Sequence, residues 1–470
     1  MCSADGRTKT DMNLIDTLSP IRGTGFAAGE RLDPFYDRLW SAGARGVWAS
    51  APETRRQVEA GLGDLTGMSL IDEEEAISIV NDPNNIADLL PALGVIENMR
   101  TVTIEQLSAL TGKDYSAPLA RRLLSAAFAA DLIDIGRASD LIGNGISAIP
   151  GYLLRPAKGR RKTYDRKLRP KLTFPEQVSV TGGHPYSPGG QYDRHNIISV
   201  EMLLRASEML DIGTVVGEKY CTADMLFGSG LGRSEIGSSV RADGMIVRPD
   251  GTRIAIEMTS SANSGDMWNK VKGWAEYFDA MPYKRNGVIV LFVVAPSMES
   301  RHTVSALTAN VKKSIKRAVG IYPGSGRIRT RDRFALVDWP TWFPDTNEFD
   351  PSFLTLQAKT RTGSGEEKWL PVDLLEDDRY DVELDFDAEA VMTNIAACHQ
   401  TPPWIRQRFL PPDLTEAVIG NVTHRVPVLP PVKKEMGDRG EWVSADEAKT
   451  VATGAVSDIT TPTRMRTLGI

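Results

Sequence analysis

The sequence predicts an α+β (α/β) protein in which a helix-turn-helix with a β wing precedes a mixed sheet flanked by helices. Three observations predict it. Residues 79–150 carry helical spacing of apolar positions broken by short turns. Residues 191–296 then read, in order, as helix, three strands, helix and strand. Within them GVIVLFVVAP, 287–296, is apolar without alternation, the pattern of a strand covered on both faces.

A chain of 470 residues exceeds what one core supports, and five divisions are expected. They are an N-terminal helical segment (1–78), a winged helix-turn-helix (79–157), a basic linker (158–190), the mixed-sheet domain (191–345) and an irregular C-terminal extension (346–470). Hydrophobic residues at 41% and charged residues at 25% exclude global disorder. The longest apolar run falls short of the roughly 18 residues that cross a bilayer. MCSADGRTKTDMNL at the start lacks the apolar segment of a secretory signal, so a cytoplasmic protein without a membrane partner is expected. Cys2, Cys221 and Cys398 are isolated, which excludes a disulfide scaffold and a structural zinc site of CxxC type. No Walker A loop and no GxGxxG after a strand occurs. With a net charge of -6, a nucleic-acid surface has to be a local patch.

In chain order, RLDPFYDRLWSAGARGVWAS (31–50) reads as a short helix with an aromatic face. In TIEQLSALTG, Thr103 is placed to cap a helix that Gly112 ends. SAPLARRLLSAAFAADLIDIG places Leu119, Leu123, Ala127 and Ala130 on one stripe. Its helix, 116–130, is the expected recognition helix, with Tyr115, Ser116, Arg121, Arg122 and Ser125 facing double-stranded DNA and LIDIGRASD with ISAIPGYLLR forming the wing. RPAKGRRKTYDRKLRPK (155–171) holds nine Lys or Arg against one Asp. It reads as an arm along the phosphate backbone, with Arg160, Arg161, Lys162, Arg166 and Lys167 as its contacts; the alternative is a solvated linker.

After the Gly- and Pro-rich loop at 182–191, DRHNIISVEMLLRASEML is a helix and VRADGMIVRP with TRIAIEMTS a hairpin turning at Asp250-Gly251. SGDMWNKVKGWAEYFDAM is an amphipathic helix. Asp243 and Glu257 stand one on each arm of the hairpin, a candidate acidic pair.

This order, with an acid entering the second strand and a glutamate in the third, resembles the PD-(D/E)xK restriction-endonuclease-like fold. The resemblance implies an αβββαβ domain, Asp243 and Glu257 as ligands to Mg²⁺, and a nearby lysine that positions the attacking water. The lysine position two beyond Glu257 holds Thr259, so Lys270 or Lys272 of the next helix would have to supply the cation. Arg241 and Arg253 are further cations, and Glu201 or Glu218 would complete a metal shell. The alternative is a structural Glu257–Lys270 ion pair on a nuclease-like scaffold without turnover. The winged helix, RHNIISVEMLLRA, VRADGMIV, RIAIEMTSS, WNKVKGWAEYF and FALVDWPTW together resemble the replication-relaxation family of actinobacterial plasmids, integrative elements and phages. That resemblance covers about 80–342, with His195, Asp243, Glu257, Lys270 and Tyr277 at matching positions. It implies a DNA-binding protein acting in replication or relaxation of element DNA; a Mg²⁺-dependent nickase and a virion or assembly protein are the alternatives. His195 at a helix start suits a cap, Trp268, Trp274 and Phe278 suit a core, and a nucleophilic Tyr277 lacks the histidine cluster of relaxases.

The acidic run LLEDDRYDVELDFDAEA reads as a solvated face or tail, PPWIRQRFLPPDL as a docking segment for other element-encoded proteins, and VPVLPPVKKE as polyproline.

Overall fold

A computed structural model describes residues 18–37, 39, 45–62, 70–142, 145–148, 151–157, 163–172, 174–181, 193–221, 240–260, 264–296, 303–362, 368–386, 388–396, 398, 399 and 401–409, with four short strands beyond 416. The class is α+β, built on two large sheets of five and seven strands, with two further two-stranded pairs beyond 416. Among the described residues no helix is long and apolar enough to cross a membrane.

The first half contains β1 (Arg45–Ala49), α1 (Ala51–Glu59), α2 (Glu73–Val80), α3 (Pro83–Met99), β2 (Val102–Thr103), α4 (Ile104–Thr111), α5 (Pro118–Ala129), β3 (Ile133–Ile142), β4 (Gly145–Ala148) and β5 (Leu153–Pro156). Thr103 caps α4 as its spacing predicts. Its hydroxyl accepts from the Gln106 N–H at 3.0 Å, and Gln106 returns a bond to the Thr103 N–H. Gly112 ends α4 at φ 69°, a left-handed value that a side chain would strain. The sheet order is β1-β3-β5-β2, with β4 paired to β3.

Two expectations for this half are corrected. Residues 45–49, expected in a helix, form β1 on the edge of the sheet. There Trp48 lies so close over Gly46 and Gly136 that a Cβ on either would meet its ring below 3 Å. The strand is held by antiparallel pairing of Arg45–Ala49 with Ile135–Ser139 of β3. The basic linker also departs from expectation: residues 163–171 form helical turns that bury Tyr164 and Leu168.

The second half contains α6 (Phe174–Thr181), α7 (Asp193–Met209), β6 (Thr214–Gly217), β7 (Gly244–Val247), β8 (Arg253–Thr259), α8 (Ser264–Ala280), β9 (Val288–Val294), α9 (Val304–Ile321) and β10 (Phe334–Asp338). The hairpin turns at Gly251, φ 88°. Neither 351–386 nor 402–409 is the irregular tail expected. β11 (Gln357–Thr362) and β12 (Lys368–Asp373) extend the sheet to seven strands, ordered β12-β11-β10-β9-β8-β7-β6. Strands β8, β9 and β10 are parallel and the other pairs antiparallel. α10 (Ala388–Ala396) and α11 (Pro403–Phe409) pack back on the body. Tyr380 of the acidic run is fully buried, and in the presumed docking segment Ile405 is buried while the Trp404 indole N–H donates to the Ser207 carbonyl at 2.9 Å. VPVLPPVKKE lies outside the described residues except for its last position.

Strand β9 is covered on both faces, as its unbroken apolar run predicts. Ile289, Leu291 and Val293 face a core shared with α3, α4, α5 and α7, whereas Val290, Phe292 and Val294 face α8 and α9. α7 therefore lies between the two sheets, and from Asn196 to Met209 it is buried all round. Charged residues there need partners. Glu201 accepts from the Arg31 guanidinium at 2.8 and 2.9 Å and from Arg205 at 2.9 Å. Arg205 reaches Asp33 at 2.7 Å, and Arg31 reaches Glu208 at 2.6 Å. The same Arg205 stacks 4.4 Å from the Phe343 ring beyond β10. At the start of α7 Asp193 accepts from Trp48, Thr101 and Arg155.

Burial raises the Glu201 pKa, but Arg31 and Arg205 outweigh it and hold the carboxyl down to about 2. Burial pushes Glu208 the other way, upward. Arg31→Ala strands Glu201 and Glu208 without their shared cation, and a loss of about 3–5 kcal/mol in urea unfolding is expected. Because the folded Glu201 pKa lies below the unfolded 4.5, its contribution is complete above pH 4.5 and fades as pH falls toward 2. The stability difference between wild type and Glu201→Gln should therefore shrink across that window in acid titrations.

Candidate functional site

The candidate site lies where β7 begins and β8 ends. The register that pairs Gly244 with Ile256 places Asp243 opposite Glu257. The Asp243 N–H donates to the Ile256 carbonyl at 2.9 Å, and its Oδ2 accepts from the Met258 N–H at 2.7 Å. Strand alternation turns Glu257, like Ala255, toward α8. There Glu257 is fully buried, its Oε1 accepting from the Trp274 indole N–H at 2.6 Å and its Oε2 paired with the Lys270 ammonium.

Lys270 and Trp274 stand one helical turn apart, which is why both reach one carboxylate. Lys272, two residues on, points about 200° around the helix and has no ion pair among the described residues. Sequence alone leaves the two lysines equivalent; helix phase selects Lys270. Around this core Glu218 accepts from the Asn196 amide and lies 3.5 Å from Arg241. His195 Nε2 is 3.4 Å from Ser260 Oγ.

Burial pushes the Glu257 carboxyl up to about 7; Lys270 pulls it down and Asp243 pushes it further up. Burial works against the Lys270 charge, yet Glu257 and then Asp243 more than restore it, so its pKa lies above the ordinary lysine value. For His195 burial leads and lowers the pKa, with Asp243 opposing, which favours a neutral imidazole. Burial also raises Glu218. The Lys270 ammonium, paired with Glu257, offsets the cost of burying that carboxyl beside a second acid.

As a divalent-cation site the arrangement is incomplete. Among the described residues no group of three His, Cys, Asp or Glu side chains takes up ligating geometry. Both Glu257 oxygens already accept from protein donors, so a Mg²⁺ ion has to take one from Lys270 or Trp274. Glu201 is committed to Arg31 and Arg205, away from this cluster. Arg253 starts β8 at the far end from Glu257, its guanidinium 4.6 Å from the Phe386 ring. Tyr277 is buried and accepts at 3.5 Å from the Asn286 amide, an enclosed position for a nucleophile. Trp274, read as core, is in addition the donor that fixes Glu257, a role with no signature beyond its spacing from Lys270.

The expected DNA-facing residues divide. Ser116, Arg121 and Arg122 are exposed, Arg122 with an ion pair to Glu75 at 3.2 Å. Tyr115 is corrected: it is fully buried, and its hydroxyl donates to the Asp88 carbonyl at 2.6 Å. Ser125 is corrected as well, lying inside α5's packed face. Leu119 moves the opposite way, from the expected apolar stripe to 84% exposure. The helix is rotated by the burial of Ala120, Leu124 and Phe128, which leaves 119 and 122 outside.

Of the basic segment, Arg155 is buried between Asp134 and Asp193 and stacks 3.9 Å from the Trp48 ring. Lys167 pairs with Glu73, while Arg166 is exposed. Arg160, Arg161 and Lys162 lie outside the described residues.

Lys270→Met leaves a buried carboxylate with one donor. Because the Lys270 side chain is 36% exposed, a loss of about 2 kcal/mol in chemical denaturation is expected. Lys272→Met should stay within about 0.5 kcal/mol of wild type. No protein-family model, curated protein or solved structure matches this chain.

Proposed function

We propose that the protein binds double-stranded DNA through a winged helix within residues 79–157, and that the seven-stranded sheet is a nuclease-like platform beside it. The mobile-element setting, replication or relaxation of plasmid, integrative-element or phage DNA, rests on the resemblance to the replication-relaxation family. One observation carries the binding reading. The second helix of a capped helix-turn-helix turns Arg121 and Arg122 outward, with Ser116 exposed in the turn before it, carries no acidic residue of its own, and is followed by the β3–β4 hairpin. Arg121 is braced by the Ser116 carbonyl at 2.8 Å, so its charge is held at the helix start. The Arg122–Glu75 pair is solvent-exposed and worth at most about 1 kcal/mol, so phosphate can displace it.

A second reading, Mg²⁺-dependent nicking by Asp243 and Glu257 with Lys270, has a specific observation in its favour. Asp243 faces Glu257 across one strand pair, and its Oδ1 has no hydrogen bond among the described residues. The platform reading is favoured because the Glu257 charge is already balanced within the protein.

Duplex affinity is expected to fall steeply with salt, and Arg121→Ala with Arg122→Ala to lower the slope of log affinity against log salt by about 2. An unchanged slope removes the winged-helix contact. Supercoiled plasmid incubated with the protein in Mg²⁺ or Mn²⁺ should stay intact; nicking lost in Asp243→Ala would establish the second reading.

A further inference from the structure

α9 carries four cations, Lys312, Lys313, Lys316 and Arg317, and no Asp or Glu among its 18 residues. Several surface cations elsewhere in this acidic chain have acidic partners: Lys113 with Asp88, Lys284 with Asp385, Arg379 with Asp377. By contrast, no ion pair forms among the described residues at Lys312, Lys313, Arg317 or neighbouring Lys359 of β11. Two of these charges, Arg317 and Lys312, rest on aromatic rings. The Arg317 guanidinium lies 3.9 Å from the ring of Trp268 on α8, two residues before Lys270, and Lys312 Nζ lies 5.3 Å from the Trp369 ring on β12. Burial, and then the charge of Lys359, lower the Lys312 pKa.

We infer that the face formed by Lys312, Lys313, Arg317 and Lys359 is a second contact surface for the phosphate backbone of a nucleic acid, on the same helical layer as Lys270. Gathered like charges gain most from a polyanion. From Lys312 to Arg317 the helix advances about 7.5 Å at about 1.5 Å per residue. A duplex strand carries about two phosphates over that distance, at about 3.4 Å each. A lipid surface is the poorer match, since the other exposed positions of α9 before its last turn are Ser305, Ala306 and Ala309 rather than bulky apolar residues.

The inference rests on the DNA-binding reading above, and the test separates the two. Binding of the full chain to a labelled 30-base-pair duplex is measured from about 50 to 200 mM salt. Wild type is compared with Lys313→Gln/Lys359→Gln, whose thermal unfolding is checked to match. Each lost phosphate contact lowers the slope by about 0.9, so a decrease of roughly 2 is expected, in addition to that from Arg121 and Arg122. Protection of Lys313 from amine acetylation by the duplex in wild type is the second expected result. A variant with the wild-type slope and an unprotected Lys313 overturns this inference alone. A wild-type chain that binds no duplex overturns both readings. Binding to phosphatidylserine vesicles that the variant loses, with duplex affinity unchanged, identifies a membrane face and overturns this inference.

Discussion

The buried ion network on α7 is the constraint on which the rest of the structure depends. α7 packs against the first half of the chain on one side and the seven-stranded sheet on the other, so charges at Glu201, Arg205 and Glu208 have no route to water. They are settled by Arg31 and Asp33, delivered from a segment that begins the described chain. An apolar helix could separate two sheets, but it would not select which N-terminal segment lies against it. Paired charges of defined geometry do, since a wrong neighbour leaves a buried ion uncompensated.

That selection reaches the candidate site. With α7 fixed, His195 and Asn196 at its start are brought beside Glu218 and the end of β8. The acid pair itself comes from hairpin register, and its tolerance comes from α8, whose phase aims Lys270 and Trp274 at Glu257. An acid buried at a sheet end, its pKa lifted to about 7 and beside an ammonium, is an arrangement with chemical potential as well as a structural use. The orientation of its two donors favours the structural one.

Element identity was largely legible in the sequence where local chemistry decides it. The Thr103 cap, the Gly112 stop, the Asp250-Gly251 turn and the apolar β9 follow from spacing and residue type. Facing was less legible. Leu119 fits an apolar stripe as well as Leu123 does, and only packing against α2 and α3 determines which one is buried. The basic run 155–171 reads as one arm by composition, yet it divides into a strand with an interior arginine, helical turns anchored by Tyr164 and Leu168, and positions outside the description. The acidic run near 380 reads as solvated because charge dominates its average, while a few apolar anchors tie it to the body.

By itself the sequence determined the type of most elements between 83 and 338, where several begin and end, and that an acid stands on each arm of the hairpin, because these follow from bonds and turns within a few residues; it did not determine β1 or the elements beyond 346. Tertiary structure alone decided that Lys270 rather than Lys272 meets Glu257, that Tyr115 and Ser125 turn inward, and that Arg31 and Glu201, 170 residues apart, share one buried ion pair. The reason is physical: the partner of a buried charge is set by the phase and packing of elements distant along the chain, and local sequence carries no record of that distance.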